Sequence, residues 1–255
     1  VFDLYAQWAK IYDLFYPDRS DEAHFWSRLV GGEGQQVLDL MCGTAEVSLA
    51  LARLGHRVVG LDRSGTMLAV GDERLQAAAD YPARNLRLVQ GDACAIPIAD
   101  GTFDFVMVGG NGSFNHLDRD QAAIALAETY RTLAPGGRLG MELLNPFLLP
   151  EIDPERVFGP LRPTSPGVWL ETCVVNRYDG VAGQLHIHQS TRFELGDDRG
   201  QWEASFVLHA WAPGQIHALL EETGFSDMRF YGSYTLEPFT RWSSDLLMVA
   251  CRSAG

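Results

Sequence analysis

Val37–Gly55 reads VLDLMCGTAEVSLALARLG. It opens with a short apolar run, Val37 to Met41, of the kind that forms a buried parallel strand. The chain then turns through Cys42-Gly43-Thr44, and a helix-period pattern follows with Val47, Leu49, Ala50, Leu51 and Leu54. Gly55 stops that pattern as a C-terminal cap. A strand feeding a helix through a glycine turn is half of a nucleotide-binding unit. Gly43 lets a ligand approach the backbone because no Cβ intervenes, and the helix start offers it unpaired N–H groups.

Two acids define that ligand. Asp39 sits near the end of the first strand, where it would repel a pyrophosphate and suit a cation such as an ammonium or a sulfonium. Asp62 ends the next apolar run, Val58 to Asp62, about 20 residues beyond the glycine turn, where an acid can accept hydrogen bonds from ribose hydroxyls. A ligand with a ribose, a positive end and no diphosphate is S-adenosylmethionine rather than NAD.

The segment Asp39-Leu40-Met41-Cys42-Gly43-Thr44 resembles the first motif of class I S-adenosylmethionine-dependent methyltransferases. Asp62 resembles their ribose acid and Gly91-Asp92-Ala93 their adenine-side motif. The resemblance covers roughly residues 1–145 and, more loosely, the end of the chain. It implies an α/β fold: a Rossmann-like seven-stranded methyltransferase sheet with a closing antiparallel hairpin. Met41 and Ala45 stand where the motif usually has glycines, so Met41 is expected to have a backbone that a β-residue can adopt. By the same resemblance Asp92 would accept the adenine amine, and Ala93 would offer its N–H to a ring nitrogen. Thr44, Arg63, Met67, Val108 and Gly109 are the flanking candidates for cofactor contact. Apart from the resemblance, Asp92 also reads as a turn aspartate.

The totals bound the function classes. At 255 residues and 46% hydrophobic, the chain can bury one large core. A net charge of −13 argues against a nucleic-acid substrate and against an anionic membrane surface. Four widely spaced cysteines, Cys42, Cys94, Cys173 and Cys251, suggest reduced thiols in a cytoplasm, with no disulfide framework and no zinc spacing. No apolar run approaches a membrane span, and no signal-peptide pattern is expected.

Residues 1–30 carry aromatics at helical spacing: Leu4, Trp8, Ile11, Tyr12 and Phe15. Tyr5, Tyr12-Asp13 and Tyr16 resemble the lid helix that precedes the core in many small-molecule methyltransferases, which implies that Tyr12 or Tyr16 closes over the cofactor. A tyrosine face near a sulfonium is physically sensible. The alternative is an amphipathic helix that packs its aromatics on the core. Further on, Ser64–Ala79 reads as a helix, and Leu86–Asp92 and Phe103–Val108 as strands. Gly109–Leu117 then lies outside the carboxyl ends of the strands, where open α/β sheets bind ligands. Asn111, Ser113 and His116 there, with Asn145 beyond the fifth strand, are the substrate-facing candidates. His116 and Tyr12 are the candidate catalytic bases, although His116 could instead cap the helix that begins near Asp118. That helix has Ile124, Leu126, Ala127, Tyr130 and Leu133 as its apolar positions, and Ala134-Pro135-Gly136-Gly137 stops it. Glu142, on the apolar strand Arg138–Leu144, either faces the site or is tied to a backbone or basic partner.

The expected organisation is a lid helix over 1–30, a core over 31–145 and 212–255, and a β-rich insert over 146–211. Residues 145–167 are proline-rich and read as an irregular crossing. Val168–Tyr178, Leu185–Leu195 and Gln201–Trp211 read as a three-stranded antiparallel sheet, with a turn at Gly196–Gly200. By resemblance it is a substrate cap, and a homodimer formed through it is an expectation. His186 and His188 share one strand face, but no third metal ligand is evident.

The leading functional reading is methyl transfer to a nitrogen of a small molecule, an amine or amino sugar, since an acidic chain suits a cationic acceptor. The alternatives are O-methylation of a small-molecule hydroxyl and a non-catalytic binding module of the same fold. An NAD-linked oxidoreductase is disfavoured by Asp39 and by the absence of G-x-G-x-x-G.

Overall fold

The computed structural model describes residues 5, 8–15, 19–78, 84–110, 112–161 and 168–254. The expectations for Tyr16 and Asn111 lie outside the described residues. The chain forms two units, 1–145 with 211–255, and 146–210.

The first unit is built outward from β1 (Gln36–Leu40), whose Val37, Leu38 and Leu40 are buried. Helix α3 (Glu46–Arg53) carries the chain to β2 (Arg57–Asp62), and α4 (Gly65–Ala77) carries it to β3 (Leu86–Gln90). These strands pair in parallel, as crossover helices require. The chain next enters β4 (Phe103–Val108) on the other side of β1, then α5 (Arg119–Thr132) and β5 (Leu133–Leu143). Helix α6 (Pro213–Thr223) leads into β10 (Phe225–Tyr231) and β11 (Leu246–Arg252), and β11 runs antiparallel to β5. The resulting order is β10-β11-β5-β4-β1-β2-β3, a Rossmann-like α/β sheet closed by an antiparallel hairpin. Strand order reverses between β1 and β4, the switch point at which such sheets leave a crevice. Helices α1 (Ala9–Phe15) and α2 (Ser20–Val30) precede the sheet, with Phe25 and Trp26 in its core.

The second unit is a four-stranded antiparallel sheet, β6 (Glu155–Leu161), β7 (Val168–Asp179), β8 (Gln184–Leu195) and β9 (Asp198–His209), in that order. Along β8 the side chains alternate as the pleat demands, with Leu185, Gln189 and Thr191 buried and His188 and Arg192 exposed. The exposed face carries cross-strand polar pairs, Arg192 to Glu171 at 3.1 Å and His188 Nδ1 to Ser205 Oγ at 3.0 Å.

Several expectations change. The proline-rich crossing contains a strand, β6, so the sheet has four strands rather than three. Pro154 and Pro160 obscured it, but β6 is an edge strand, where a missing N–H is tolerated. The turn expected over Gly196–Gly200 contracts to Gly196-Asp197, because Asp198 already pairs with Leu195. On α5 the buried positions are Ala122, Ala125, Leu126, Thr129 and Thr132, while Ile124 is 49% exposed. No loop separates α5 from β5. The residues Ala134–Gly137 instead form a bulge between the pairings of Leu133 with Phe103 and of Arg138 with Phe105. Arg252 Nη1 closes that junction by donating to the carbonyls of Tyr130, Arg131 and Leu133.

The main correction concerns Met41. Its φ is 64°, and that of Ala45 is 58°, so both keep the left-handed backbone of the glycines they replace. An L-residue there costs about 1–2 kcal/mol. Met41→Val, which adds β-branching at this φ, is expected to lower stability by about 2 kcal/mol or more, whereas Met41→Gly should change it by less than about 1 kcal/mol because strain relief offsets lost packing. Urea unfolding of the two variants beside the parent protein checks the contrast.

Candidate functional site

Five residues after β1 form a turn that the local sequence could not hold alone. Met41, Gly43 and Ala45 are all left-handed. The turn is fixed from β2: Cys42 N donates to Leu61 O at 3.0 Å, and Gly43 N donates to Asp62 Oδ2 at 2.8 Å. The other Asp62 oxygen accepts from Ser64 N at 2.8 Å, at the start of α4, where the Ser64 hydroxyl accepts from Met67 N. Asp62 therefore joins the two strand-to-helix turns and is held in one orientation. A Cβ built on Gly43 would meet nothing within 4 Å, so its Cα faces open space.

Asp39 lies beside this turn, buried, and accepts a 2.5 Å hydrogen bond from Ser48 Oγ of α3. Burial pushes its carboxyl up to about 7, against the Ser48 bond and the Arg19 guanidinium, with Glu22 and Asp62 pushing it further. Neighbouring Cys42 has its thiol pushed up by burial and then by Asp39 and Asp62, which leaves it a protonated core group.

A second pair, which no motif marks, shares the lining with this turn. Arg19 donates to Glu22 through Nε at 2.7 Å and Nη2 at 2.8 Å. Glu22 is buried and also accepts from Trp26 Nε1 and from Gly110 N, each at 3.3 Å. Burial works against the Arg19 charge, but Glu22, with Tyr12 and Asp39 further off, raises its pKa above the usual guanidinium value. This pair explains Gly109, whose added Cβ would come within 2.7 Å of Glu22 Oε1. That glycine makes room for a carboxylate of α2.

Tyr12, Asp39, Met41, Gly43, Gly109 and Ser113 line one cleft at the switch point, together with Arg19, Glu22, Cys42, Val47, Met107 and Gly110. Other candidates stand elsewhere. Thr44 is buried and donates to Asp13 Oδ1 at 2.6 Å, and Arg74 of α4 pairs with the other Asp13 oxygen, so Asp13 pins α1 to the β1–α3 turn and to α4. Asp92 is an Asx turn that accepts from Cys94 N at 2.8 Å, and Ala93 is buried beside it. Met67 and Val108 have buried side chains, while Arg63 is exposed and accepts at its carbonyl from Gln90. Asn145 Nδ2 donates to the carbonyls of Arg241 and Ser243, holding the β10–β11 loop. His116 does not cap α5, which is capped by Asp118 and Gln121. Its Nε2 lies 2.8 Å from Tyr5 Oη. Glu142 is buried and accepts from the Tyr234 hydroxyl at 3.1 and 3.2 Å. Among the described residues no cluster of three metal-ligating side chains occurs, and no helix is long and apolar enough to cross a membrane.

Residues 37–137 match the methyltransferase domain family model. A demethylmenaquinone methyltransferase of Staphylococcus carnosus is 39% identical over 108 residues, 41% of this chain and 41% of that protein. One from Listeria welshimeri is 41% identical over 111 residues, 42% and 44% of the two chains. The matched stretch therefore spans less than half the length of these relatives. Among solved structures, an S-adenosylmethionine-dependent methyltransferase from Clostridium acetobutylicum superposes with a TM-score of 0.77 at 17% identity, over 98% of this chain and 99% of that one. An amino pentose methyltransferase from Micromonospora echinaspora, solved with S-adenosylmethionine bound, gives 0.72 at 22% identity over 95% and 97%. Both share the fold.

The Asp39 carboxyl takes up a proton on folding, because its folded value near 7 exceeds the ordinary 3.8. Its contribution to stability therefore falls as pH rises from about 4 to about 7 and stays lost above. Asp39→Asn keeps an acceptor for Ser48 and removes this cost. It is expected to melt higher than the parent at pH 8, by about 2–4 °C for each kcal/mol relieved, and to lose that advantage near pH 4.

Proposed function

Residues 37–137 match a methyltransferase domain, and we propose that this chain transfers the methyl group of S-adenosylmethionine to a small molecule, as a class I methyltransferase does. The observation that carries the reading is the cleft at the β1/β4 switch point, in which a buried acid and an oriented acid flank a glycine whose Cα faces open space. Bound there, the cofactor supplies an electrophilic methyl on a sulfonium. Asp39 provides the charge that a cation needs, at a position where burial makes an unpartnered carboxylate unfavourable. Asp62 has its orientation fixed by two backbone N–H groups, and a carboxylate so held is suited to accept from ribose hydroxyls. Arg19, on the cleft wall, suits the carboxylate of the methionine end. Tyr12 presents an aromatic ring to the same space. The adenine contacts at Asp92 and Ala93 belong to the same proposal. Transfer by in-line displacement asks mainly for positioning, and a rigid cleft wall provides it.

The acceptor is a small molecule by this reading. A nitrogen acceptor, expected from the net charge of −13, rests on that balance alone.

Isothermal titration of the full chain should show binding of S-adenosylmethionine and S-adenosylhomocysteine and none of NAD. Asp62→Ala should weaken the cofactor at least tenfold, since one change removes a hydrogen-bonding group and loosens the Gly43 turn. Affinity should fall about tenfold per pH unit below about 7, as Asp39 takes a proton that the sulfonium must displace, and Asp39→Asn should flatten that dependence. Equal, pH-independent binding by parent and both variants would remove the basis of the assignment.

A further inference from the structure

Arg19 borders two spaces. It lines the cleft, and it also lines an open groove walled by Glu46, Leu49 and Arg53 of α3 and by Arg74 and Ala77 of α4. Glu22 fixes which of the two its guanidinium serves. Glu22 takes the Nε–Nη2 edge at 2.7 and 2.8 Å, and two bonds to one carboxylate set the plane of the guanidinium. The pair is nearly closed off from water, with side chains 15% and 8% exposed. A guanidinium has five N–H donors, so this grip leaves Nη1 and the second Nη2 hydrogen for another anion. Nη2 lies against Gly110 of the cleft, where an added Cβ would stand 3.3 Å from it. Glu22 Oε1 also accepts from Gly110 N at 3.3 Å, and Gly110 O accepts from Ser113 Oγ at 3.4 Å. The carboxylate that holds Arg19 therefore also holds the chain just beyond β4.

We propose that Glu22 is a positioning residue, which acts through Arg19 to present a fixed guanidinium to the cofactor's carboxylate and passes that contact on to the backbone at Gly110. The proposal rests on the methyl-transfer reading above and deepens its placement of the methionine carboxylate at Arg19. A competing effect has the opposite sign. Glu22 neutralises Arg19, so its removal would leave a bare cation to attract a carboxylate more strongly. Burial decides between the two. A guanidinium this closed off is costly without its partner, and the groove offers it an exit on the side of Glu46. Loss of Glu22 therefore takes Arg19 away from the cleft instead of freeing it to bind. With Glu22 in place, the ligand meets donors whose side-chain order is already set. A carboxylate on the remaining edge then holds the guanidinium from both sides. Glu22 loses freedom with it, and so does the Gly110 N–H that Glu22 accepts from.

The test titrates the full chain with S-adenosylhomocysteine and with its decarboxylated analogue, an aminopropyl thioether of adenosine that keeps the ammonium and lacks only the carboxyl. Arg19→Ala and Glu22→Gln should each weaken S-adenosylhomocysteine about tenfold or more and leave the analogue within about threefold of the parent. The double variant should lose no more than Arg19→Ala does, because Glu22 acts through Arg19. Both ligands carry the ammonium, so any influence of Glu22 on Asp39 cancels in the comparison. Amide hydrogen exchange on the parent gives a reading that needs no variant: S-adenosylhomocysteine should slow exchange at Gly110 about fivefold or more beyond the analogue. Equal loss of both ligands in Glu22→Gln, as a merely structural role predicts, would overturn the proposal. So would tighter S-adenosylhomocysteine binding by that variant, or equal protection of Gly110 by the two ligands. Undiminished S-adenosylhomocysteine binding by Arg19→Ala would overturn it together with the placement of the carboxylate at Arg19. Absence of binding by the parent would sink the methyltransferase reading itself.

Discussion

The two bonds accepted by the Asp62 carboxylate, from Gly43 N–H and Ser64 N–H, set the geometry on which the cleft depends. The turn between β1 and α3 puts three left-handed residues into five positions, two of them not glycine. Such a segment has no local reason to stay folded. Asp62 holds it from the neighbouring strand and also orients the start of α4. One acid thus sets the distance between two helix N-termini, and the space between those termini is where an adenosyl ligand would lie.

Charge arrangement in the cleft follows from what burial allows. Asp39 carries a large desolvation cost and is bonded to a neutral hydroxyl, so its carboxyl titrates near neutrality. Glu22 is buried too, but Arg19 grips it with two bonds. The two carboxylates therefore differ in readiness. Glu22 is spent on architecture, tying α2 to the end of β4, while Asp39 is left poised for a cation from outside.

Much of this was legible in the residues themselves. The apolar runs, the glycine turn and the acids at the ends of β1 and β2 were enough for the sheet, because parallel strands buried on both faces leave a strong pattern. What escaped had definite causes. Nothing in the letters Met41 and Ala45 marks a positive φ, since tertiary bonds impose it. Prolines hid β6, because an edge strand tolerates residues that argue against a central one. Ile124 looked like a core position, but α5 packs through its small residues, Ala122 and Ala125, and turns the larger side chain outward. Arg19 and Glu22 look like any surface pair at helical spacing, and only the absence of a side chain at Gly109 and Gly110 lets them enter.

The exit of β5 is fastened on both sides by asparagines. Asn115 Oδ1 accepts from Leu144 N, and Asn145 Nδ2 reaches two carbonyls of the segment before β11. Two stretches about 125 residues apart in the chain, one beside His116 and one around Trp242, are thereby registered against the same strand end. Neither stretch can therefore shift without pulling the strand end that steadies the other.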